Sequence, residues 1–254
     1  MKHIPNLFTL LNLFFGCIAI VFVLQNGIAI YQAPDGNQLL ILPENTALAS
    51  IFIMLAAVVD FLDGFVARMF KATSAMGKQL DSLADVVSFG VAPGMILYQV
   101  LRLSVAKGED GLDASVMWVL PAFILPCAAA WRLAKFNLDD TQHHSFKGVP
   151  TPAVGLLIAS VPMILSGEVS QAVWDLIFNK WFIYGLIFLL SYLMVSNIPL
   201  MGLKFRDFTV KSNLPKIILI VCAVILIILF SWLAVPLIFL LYIVLSLALK
   251  KSIA

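Results

Sequence analysis

Residues 58–90 read "VVDFLDGFVARMFKATSAMGKQLDSLADVVSFG" and place four aspartates, Asp60, Asp63, Asp81 and Asp85, in a chain that is 62% hydrophobic. One carboxylate at the centre of a bilayer costs about 2.5–3.5 kcal/mol on insertion scales. Four carboxylates in two apolar runs are therefore expected only near a membrane interface or in a wet cavity, where something compensates their charge. This stretch indicates both the fold class and the place to look for function.

Composition assigns the whole chain to membrane proteins. Its 254 residues are only 12% charged and have a mean hydropathy of +1.03, whereas soluble domains are about 25% charged. Apolar runs long enough to cross a bilayer as helices recur along the chain. We predict an all-α, polytopic membrane bundle forming a single domain, 1–254, with about eight spans. The predicted spans are 6–31, 46–68, 79–104, 114–138, 151–167, 178–200, 214–232 and 234–250.

Basic residues predict the orientation of these spans. If the N-terminus is cytoplasmic, thirteen of the 16 Lys and Arg residues fall in inner segments, as the positive-inside rule requires. They are Lys2, Arg68, Lys71, Lys78, Arg132, Lys135, Lys147, Lys204, Arg206, Lys211, Lys216, Lys250 and Lys251. We therefore expect a multi-pass protein of the cell (inner) membrane with both termini and the acidic stretch at the cytoplasmic face. The net charge of +2 needs no nucleic-acid partner. The outer segment 32–45 is predicted to be an irregular connection.

Helical spacing predicts that the four aspartates converge. At 100° per residue, one face about 100° wide carries Asp60, Asp63, Gly64 and Ala67. A second stripe, with steps of four residues, carries Gly77, Asp81 and Asp85. Two antiparallel helices joined by residues 69–76 would bring both stripes together at the cytoplasmic end of the bundle.

Such a cluster predicts a site for divalent cations. Two like charges about 4 Å apart repel by about 4 kcal/mol at an effective dielectric constant of 20. Ligation by oxygen alone suits Mg²⁺, Mn²⁺ or Ca²⁺ rather than Zn²⁺. Gly64 and Ala67 remove side-chain bulk beside the acids, as a large ligand approaching the helix backbone would require. The alternative, interfacial ion pairs with Arg68, Lys71 and Lys78, leaves one acid unpaired and the small residues unexplained.

At this point the residues resemble a known family. The spacing Asp60-x2-Asp63-Gly64-x2-Ala67-Arg68-x8-Gly77-x3-Asp81-x3-Asp85 resembles the full signature of the CDP-alcohol phosphotransferases, with all eight fixed positions present. Four further stretches resemble the phosphatidylserine synthase branch of that family: "IPNLFTLLNLFFG", "SFGVAP", "WRLAKFN" and "FKGVPTPA". The resemblance covers roughly residues 4–155.

The resemblance implies a fold and an activity. The expected fold is a six-helix catalytic core, usually dimeric, with its site open to the cytoplasm. Here residues 1–200 would form the core, with the signature at 60–85. Residues 201–254 would add a basic loop and two further transmembrane helices. The implied reaction is transfer of a phosphatidyl group from CDP-diacylglycerol to L-serine, with release of CMP.

The resemblance also implies roles for individual residues. Two cations, Mg²⁺ or Mn²⁺, would be held by Asp60, Asp63 and Asp81, with Asp85 as a further ligand. Asp85 would also be the general base that takes the proton of the serine hydroxyl. The CDP site would be formed by Asp60, Gly64, Ala67, Arg68 and Gly77.

Two further groups have a functional and an ordinary interpretation. An i, i+3 polar stripe in the first span consists of Asn6, Thr9 and Asn12. Contact with CDP by Asn6 and Thr9 and simple capping or interhelical hydrogen bonding explain it equally well. Phosphate or acceptor binding is the functional interpretation of Arg132, Lys135, Asn137 and Lys147. Positive-inside anchoring with extended stems is their ordinary interpretation.

The sequence leaves the acceptor alcohol open. The signature concerns the CDP half of the reaction, so choline, glycerol 3-phosphate and inositol phosphate remain alternatives to serine. A cation transporter would also place acids in a bundle, although its acids are expected near the midplane on discontinuous helices.

Overall fold

The computed structural model of the chain describes residues 4–25, 29–32, 38–41, 45–69, 74–107, 113–138, 146–201 and 210–248. The helices of these residues are α1 (Ile4–Leu24), α2 (Asn45–Met69), α3 (Ala75–Asp85), α4 (Ala92–Ala106), α5 (Ile124–Leu138), α6 (Thr151–Leu165), α7 (Gln171–Ile177), α8 (Lys180–Val195), α9 (Val210–Phe230) and α10 (Ala234–Ala248). The only strands in this part of the chain are β1 (Ala29–Gln32) with β2 (Gln38–Ile41), and β3 (Phe146–Lys147) with β4 (Pro199–Leu200), both antiparallel. The predicted all-α membrane class is confirmed.

The helices long enough to cross a membrane are fewer than the eight predicted. By length and composition, five described segments qualify: Pro5–Leu24, Asn45–Val66, Ala75–Ala106, Val116–Leu138 and Asn213–Ala248. A sixth arises if α7 and α8, which are bent by 63° at their junction, count as one span. Helix α6 is apolar but short. The last two predicted spans fall in one apolar stretch, which the positive φ of 48° at Ser231 divides into α9 and α10. These two helices pack against each other and form a C-terminal helical hairpin.

Three predicted boundaries are wrong. The first span was expected to reach residue 31, but α1 ends at Leu24 and a β-hairpin follows. This hairpin also occupies part of segment 32–45, which was expected to be irregular, because Ile30 and Tyr31 on one side and Leu39 to Ile41 on the other favour paired strands. The span expected at 178–200 ends at Val195, and β4 follows it.

Some predicted features lie outside the described residues. They include residues 70–73 of the predicted connection between the two acidic helices and most of the predicted basic loop, with Lys204 and Arg206. The side chains of Ala67, Arg68, Lys147 and Lys211 also lie outside the described part, although their backbones belong to helices or strands.

Helices α3 and α4 form one long helix with a π-helical turn in its middle. This turn, Val86–Val91, begins directly after Asp85, and the N–H of Ala92 donates to the carbonyl of Val87, five residues back. A Cβ on Gly16 of α1 would overlap the side chain of Ser88, and a Cβ on Gly155 of α6 would lie 3.0 Å from Phe89 Cα. The turn is therefore held between α1 and α6, and it fixes the position of Asp85.

The core lies around this π-helical turn. Large, fully buried side chains come from six elements and are Ile53, Phe89, Ile96, Leu125, Ile158 and Ile187. Helix α10 is attached at the side of this core by polar contacts: Tyr242 Oη donates to the carbonyl of Met201 (3.0 Å), and the Met201 N–H donates to Ser246 Oγ (3.2 Å).

Candidate active site

Helices α2 and α3 bring acidic side chains together as their spacing predicts. Asp60, Asp63 and Asp81 each offer a carboxylate oxygen, and these three atoms lie within 4.8 Å of one another. Asp63 is buried, whereas Asp60 and Asp81 are half-buried. The set contains only oxygen donors at a spacing that one or two hard cations can bridge, so its chemistry fits Mg²⁺ or Mn²⁺ rather than Zn²⁺.

Thr9 of α1 contacts this cluster directly. Its hydroxyl donates to Asp63 Oδ2 at 2.8 Å and also lies 3.2 Å from the carbonyl of Pro5. This is the interhelical hydrogen bond that one interpretation of Thr9 predicts, and a contact of Thr9 with CDP stays a prediction. The bond fixes the orientation of the most buried carboxylate of the group.

Asp85 lies beside the three-carboxylate group and has a different environment. It is buried with 7% exposure, and its carboxylate is close enough to Asp60 for direct interaction. Asn12 Nδ2 donates to Asp85 Oδ1 at 3.3 Å. The sequence placed Asn12 in the polar stripe of α1 but gave it no role. Its i+3 spacing from Thr9 was the signal, since both residues meet an aspartate.

A cavity of about 500 Å³ opens against the acidic cluster, within the size range of ligand pockets. Six of its lining residues were singled out by the sequence: Asn6, Thr9, Asp63, Gly64, Gly77 and Asp81. Three others were not, namely Pro5, Ser74 and Ala75, and Lys78 was considered only as an inner-face base that could pair with the acids. The faces predicted from helical spacing therefore do border a common space.

Gly77 lies where α1 approaches the first turn of α3. Its N–H donates to Ser74 Oγ at 2.9 Å, which caps the helix. A Cβ on Gly77 would lie 3.2 Å from Asn6 Oδ1, so Asn6 packs against the glycine at the cavity wall. Gly64 is half-buried and faces the same cavity.

Arg132 of α5 lies close enough to Asp85 for their charges to interact. The residue is 8% exposed, and one of its terminal nitrogens donates to Thr151 Oγ1 at 3.1 Å. Its charge interacts with Asp85 and with Tyr242 of α10. The two stretches "WRLAKFN" and "FKGVPTPA" therefore meet in space. No role for Thr151 was predicted from its sequence context.

The other predicted acceptor residues have different partners. Lys135 Nζ donates to Asn197 Oδ1 at 2.6 Å. Asn137 Nδ2 donates to Ser82 Oγ at 2.8 Å, and the backbone carbonyl of Asn137 accepts from Lys78 Nζ at 3.0 Å. Asn137 thus ties the end of α5 to α3. The backbone of Lys147 pairs with Pro199 in the β3–β4 ladder.

Comparison with known proteins gives a consistent result. The family model described as CDP-alcohol phosphatidyltransferase matches residues 2–197. Proteins named CDP-diacylglycerol–serine O-phosphatidyltransferase are similar over most of the chain. The one from Helicobacter pylori strain J99 is 33% identical over 85% of this chain and 77% of its own length. That from Bacillus subtilis strain 168 is 31% identical over 78% and 89%. That from Mycobacterium tuberculosis strain H37Rv is 31% identical over 88% and 69%.

Proposed function

The chain belongs to the CDP-alcohol phosphatidyltransferase family, and we propose that it transfers the phosphatidyl group of CDP-diacylglycerol to L-serine. The observation that carries this proposal is the convergence of the acidic group and a ligand-sized cavity, in a chain whose relatives are named CDP-diacylglycerol–serine O-phosphatidyltransferase. Membership of a transferase family argues against the cation-transporter alternative. In the reaction, the serine oxygen bonds to the phosphorus that carries diacylglycerol, the bond from that phosphorus to the CMP oxygen breaks, and the hydroxyl proton leaves serine.

The metal site would be formed by Asp60, Asp63 and Asp81, with Thr9 orienting Asp63. Two Mg²⁺ or Mn²⁺ ions held there would neutralise the charge of the diphosphate and of the leaving CMP, which is the main requirement of phosphoryl-type transfer. The residues of the chain would supply position and charge rather than a covalent intermediate.

The CDP site would be the cavity bordered by Asn6, Gly64 and Gly77. Lys78, which borders it as well, brings a positive charge within reach of a diphosphate. We assign Ala67 and Arg68 to the same site from the family signature, since they follow Gly64 on the last turns of α2.

Asp85 is the proposed general base. It lies outside the compact carboxylate group and is held by Asn12, which suits proton transfer better than a purely ligating role. Arg132, facing Asp85 from α5, would bind the carboxylate of serine. Lys135, Asn137 and Lys147 would act at the edge of this site, with Asn137 holding α3 and α5 in register.

The proposed location and orientation in the membrane follow from the distribution of Lys and Arg residues along the chain. The acidic site and both termini would lie at the cytoplasmic face of the inner membrane. Residues 1–200 would be the catalytic core of a homodimer, and 201–254 would add the basic loop and the α9–α10 hairpin.

The test is CMP release from CDP-diacylglycerol by the purified protein in detergent micelles with Mg²⁺ or Mn²⁺. L-Serine, choline, glycerol 3-phosphate and inositol phosphate are supplied separately. We expect CMP release with L-serine and with none of the other three acceptors. Release with one of the others instead would reassign the acceptor, and no release with any of them would refute the proposed activity.

A further inference from the structure

Two buried polar atoms beside Asp85 have no hydrogen-bond partner among the residues that the structure describes. They are Oδ1 of Asn12, whose residue is fully buried, and Nε of Arg132, whose residue is 8% exposed. Buried polar groups are nearly always hydrogen-bonded, and leaving one unpaired costs free energy. Asn12 Oδ1 is an acceptor, and Arg132 Nε is a donor that belongs to a cation. A ligand that pairs with both atoms must therefore offer a donor to the first and an acceptor, preferably an anion, to the second.

The orientation of the Asn12 amide follows from its neighbour. Asp85 offers an acceptor oxygen 3.3 Å from Nδ2, so the amide must turn its NH₂ group towards Asp85 and its oxygen away. The backbone at this point is fixed, because Ser88 Oγ donates to the Asn12 carbonyl at 3.0 Å. The side chain that holds the proposed base therefore keeps its own oxygen, turned away from Asp85, with its hydrogen-bonding capacity unused.

Arg132 presents the complementary group. One terminal nitrogen is engaged by Thr151, whereas Nε is unused. The charge of the guanidinium interacts with Asp85. Two unused groups therefore lie near Asp85: the acceptor oxygen of Asn12 and the cationic donor Nε of Arg132.

We propose that Asn12 accepts a hydrogen bond from the ammonium group of the acceptor substrate, while Arg132 binds its carboxylate, so that the two residues select an amino-acid zwitterion. This inference rests on the proposed function and adds the determinant of acceptor specificity. Choline has neither an N–H donor nor a carboxylate, so it satisfies neither residue. Glycerol 3-phosphate and inositol phosphate carry an anion for Arg132 but nothing charged for Asn12.

The test uses Asn12→Leu, which keeps approximate size and removes both polar atoms. The measured quantities are the KM for L-serine and the inhibition constants of two fragments of serine. Ethanolamine keeps the hydroxyl and the ammonium, whereas 3-hydroxypropionate keeps the hydroxyl and the carboxylate. Loss of a hydrogen bond to a charged group predicts that serine and ethanolamine bind about tenfold more weakly. The constant for 3-hydroxypropionate should be unchanged within about twofold, the margin expected where no such bond is lost.

Arg132→Met gives the crossed result if the assignment is correct. Serine and 3-hydroxypropionate should bind more weakly, and ethanolamine should bind as before. Equal weakening of all three ligands by Asn12→Leu would overturn the proposal, because it would mean that Asn12 acts only through Asp85 or that water alone satisfies its oxygen. Failure of ethanolamine to inhibit the unmodified protein would overturn it as well.

Two further variants separate substrate binding from structure. Asn12→Asp keeps the acceptor oxygen and loses the donor to Asp85, so kcat should fall while the KM for L-serine does not rise. Ser88→Ala removes only the bond to the Asn12 backbone and should leave the ratio of the two inhibition constants unchanged. A raised KM in Asn12→Asp contradicts the ammonium contact. The proposed function fails separately, if the unmodified protein releases no CMP with L-serine.

Discussion

The long central helix and the C-terminal hairpin are both apolar, but the protein uses them in opposite ways. Of the 18-residue apolar stretch within Ala75–Ala106, the protein buries 67%, whereas it buries only 11% of that within Asn213–Ala248. The central helix also carries Asp81, Asp85 and the π-helical turn. The hairpin exposes aliphatic side chains such as Ile228 and Leu229, which suit lipid tails. The helix that is less apolar is thus the one that other helices surround.

The physical reason is that lipid is as apolar as leucine. Apolar surface gains nothing by leaving lipid for protein, so helices in membranes associate through close packing and polar contacts. The central helix contains small residues, which allow close packing, and hydrogen-bonding groups, which make polar contacts. Gly90 and Gly94, for example, allow close packing against α5. A dip in hydropathy therefore indicates the functional interior better than a peak does.

Removal of divalent cations should have the largest effect and should act only through the central region. Three carboxylates with oxygens within 4.8 Å need counter-charge to hold a diphosphate. We expect exhaustive chelation to abolish CMP release and added Mg²⁺ or Mn²⁺ to restore it. Full turnover after chelation would show that the cluster does not work through a metal.

Gly64→Leu should abolish binding of CDP-diacylglycerol while the protein remains folded and inserted. Gly64 borders the cavity beside Asp63, so a leucine side chain would occupy the space of the nucleotide. Binding is measured with the radiolabelled lipid, and folding by the elution volume in detergent. A variant that bound the lipid normally would refute the close approach of the ligand to α2.

Asp85→Asn should separate chemistry from binding. Loss of a general base costs about 10²–10⁴-fold in rate, whereas asparagine preserves the size of the side chain beside Asn12. Asp63→Asn is the matched comparison, because loss of a ligand should weaken metal and nucleotide binding together. The measurements are kcat and CDP-diacylglycerol affinity for both variants. Near-native turnover in Asp85→Asn would place the base elsewhere, and an affinity loss equal to that of Asp63→Asn would make Asp85 chiefly a ligand.

A pair of identical substitutions tests the comparison itself. Ile96 of α4 is 1% exposed and Ile228 of α9 is 76% exposed. Ile96→Ala should lower the free energy of unfolding by about 2–5 kcal/mol through the cavity it leaves. Ile228→Ala should change it by no more than about 0.5 kcal/mol. Thermal denaturation in detergent compares them, and a similar loss in both would mean that the hairpin is packed against something other than lipid.

The membrane class and the acidic face could be predicted from residue types and their spacing alone. Composition is a sum over residues, and helical periodicity depends only on positions a few residues apart. Both could therefore be read without a fold, and Asp60, Asp63 and Asp81 meet as predicted. Helix ends were less accessible, because the apolar residues of the first β-strand follow α1 closely in the sequence and only strand pairing assigns them to a hairpin.

The distant residues that meet at Asp85 could not be predicted in this way, because they depend on the packing of the folded helices. Asn12 and Asp85 are 73 positions apart, and Arg132 and Thr151 are 19 apart. Such pairs depend on how helices pack. In this bundle the packing depends on close approaches such as Gly16 to Ser88 and Gly155 to Phe89. The same packing brings Asn137 to Ser82, although Asn137 lies in the same sequence stretch as Arg132. No local pattern encodes these choices, because each is set by the complementary shape of a second helix elsewhere in the chain.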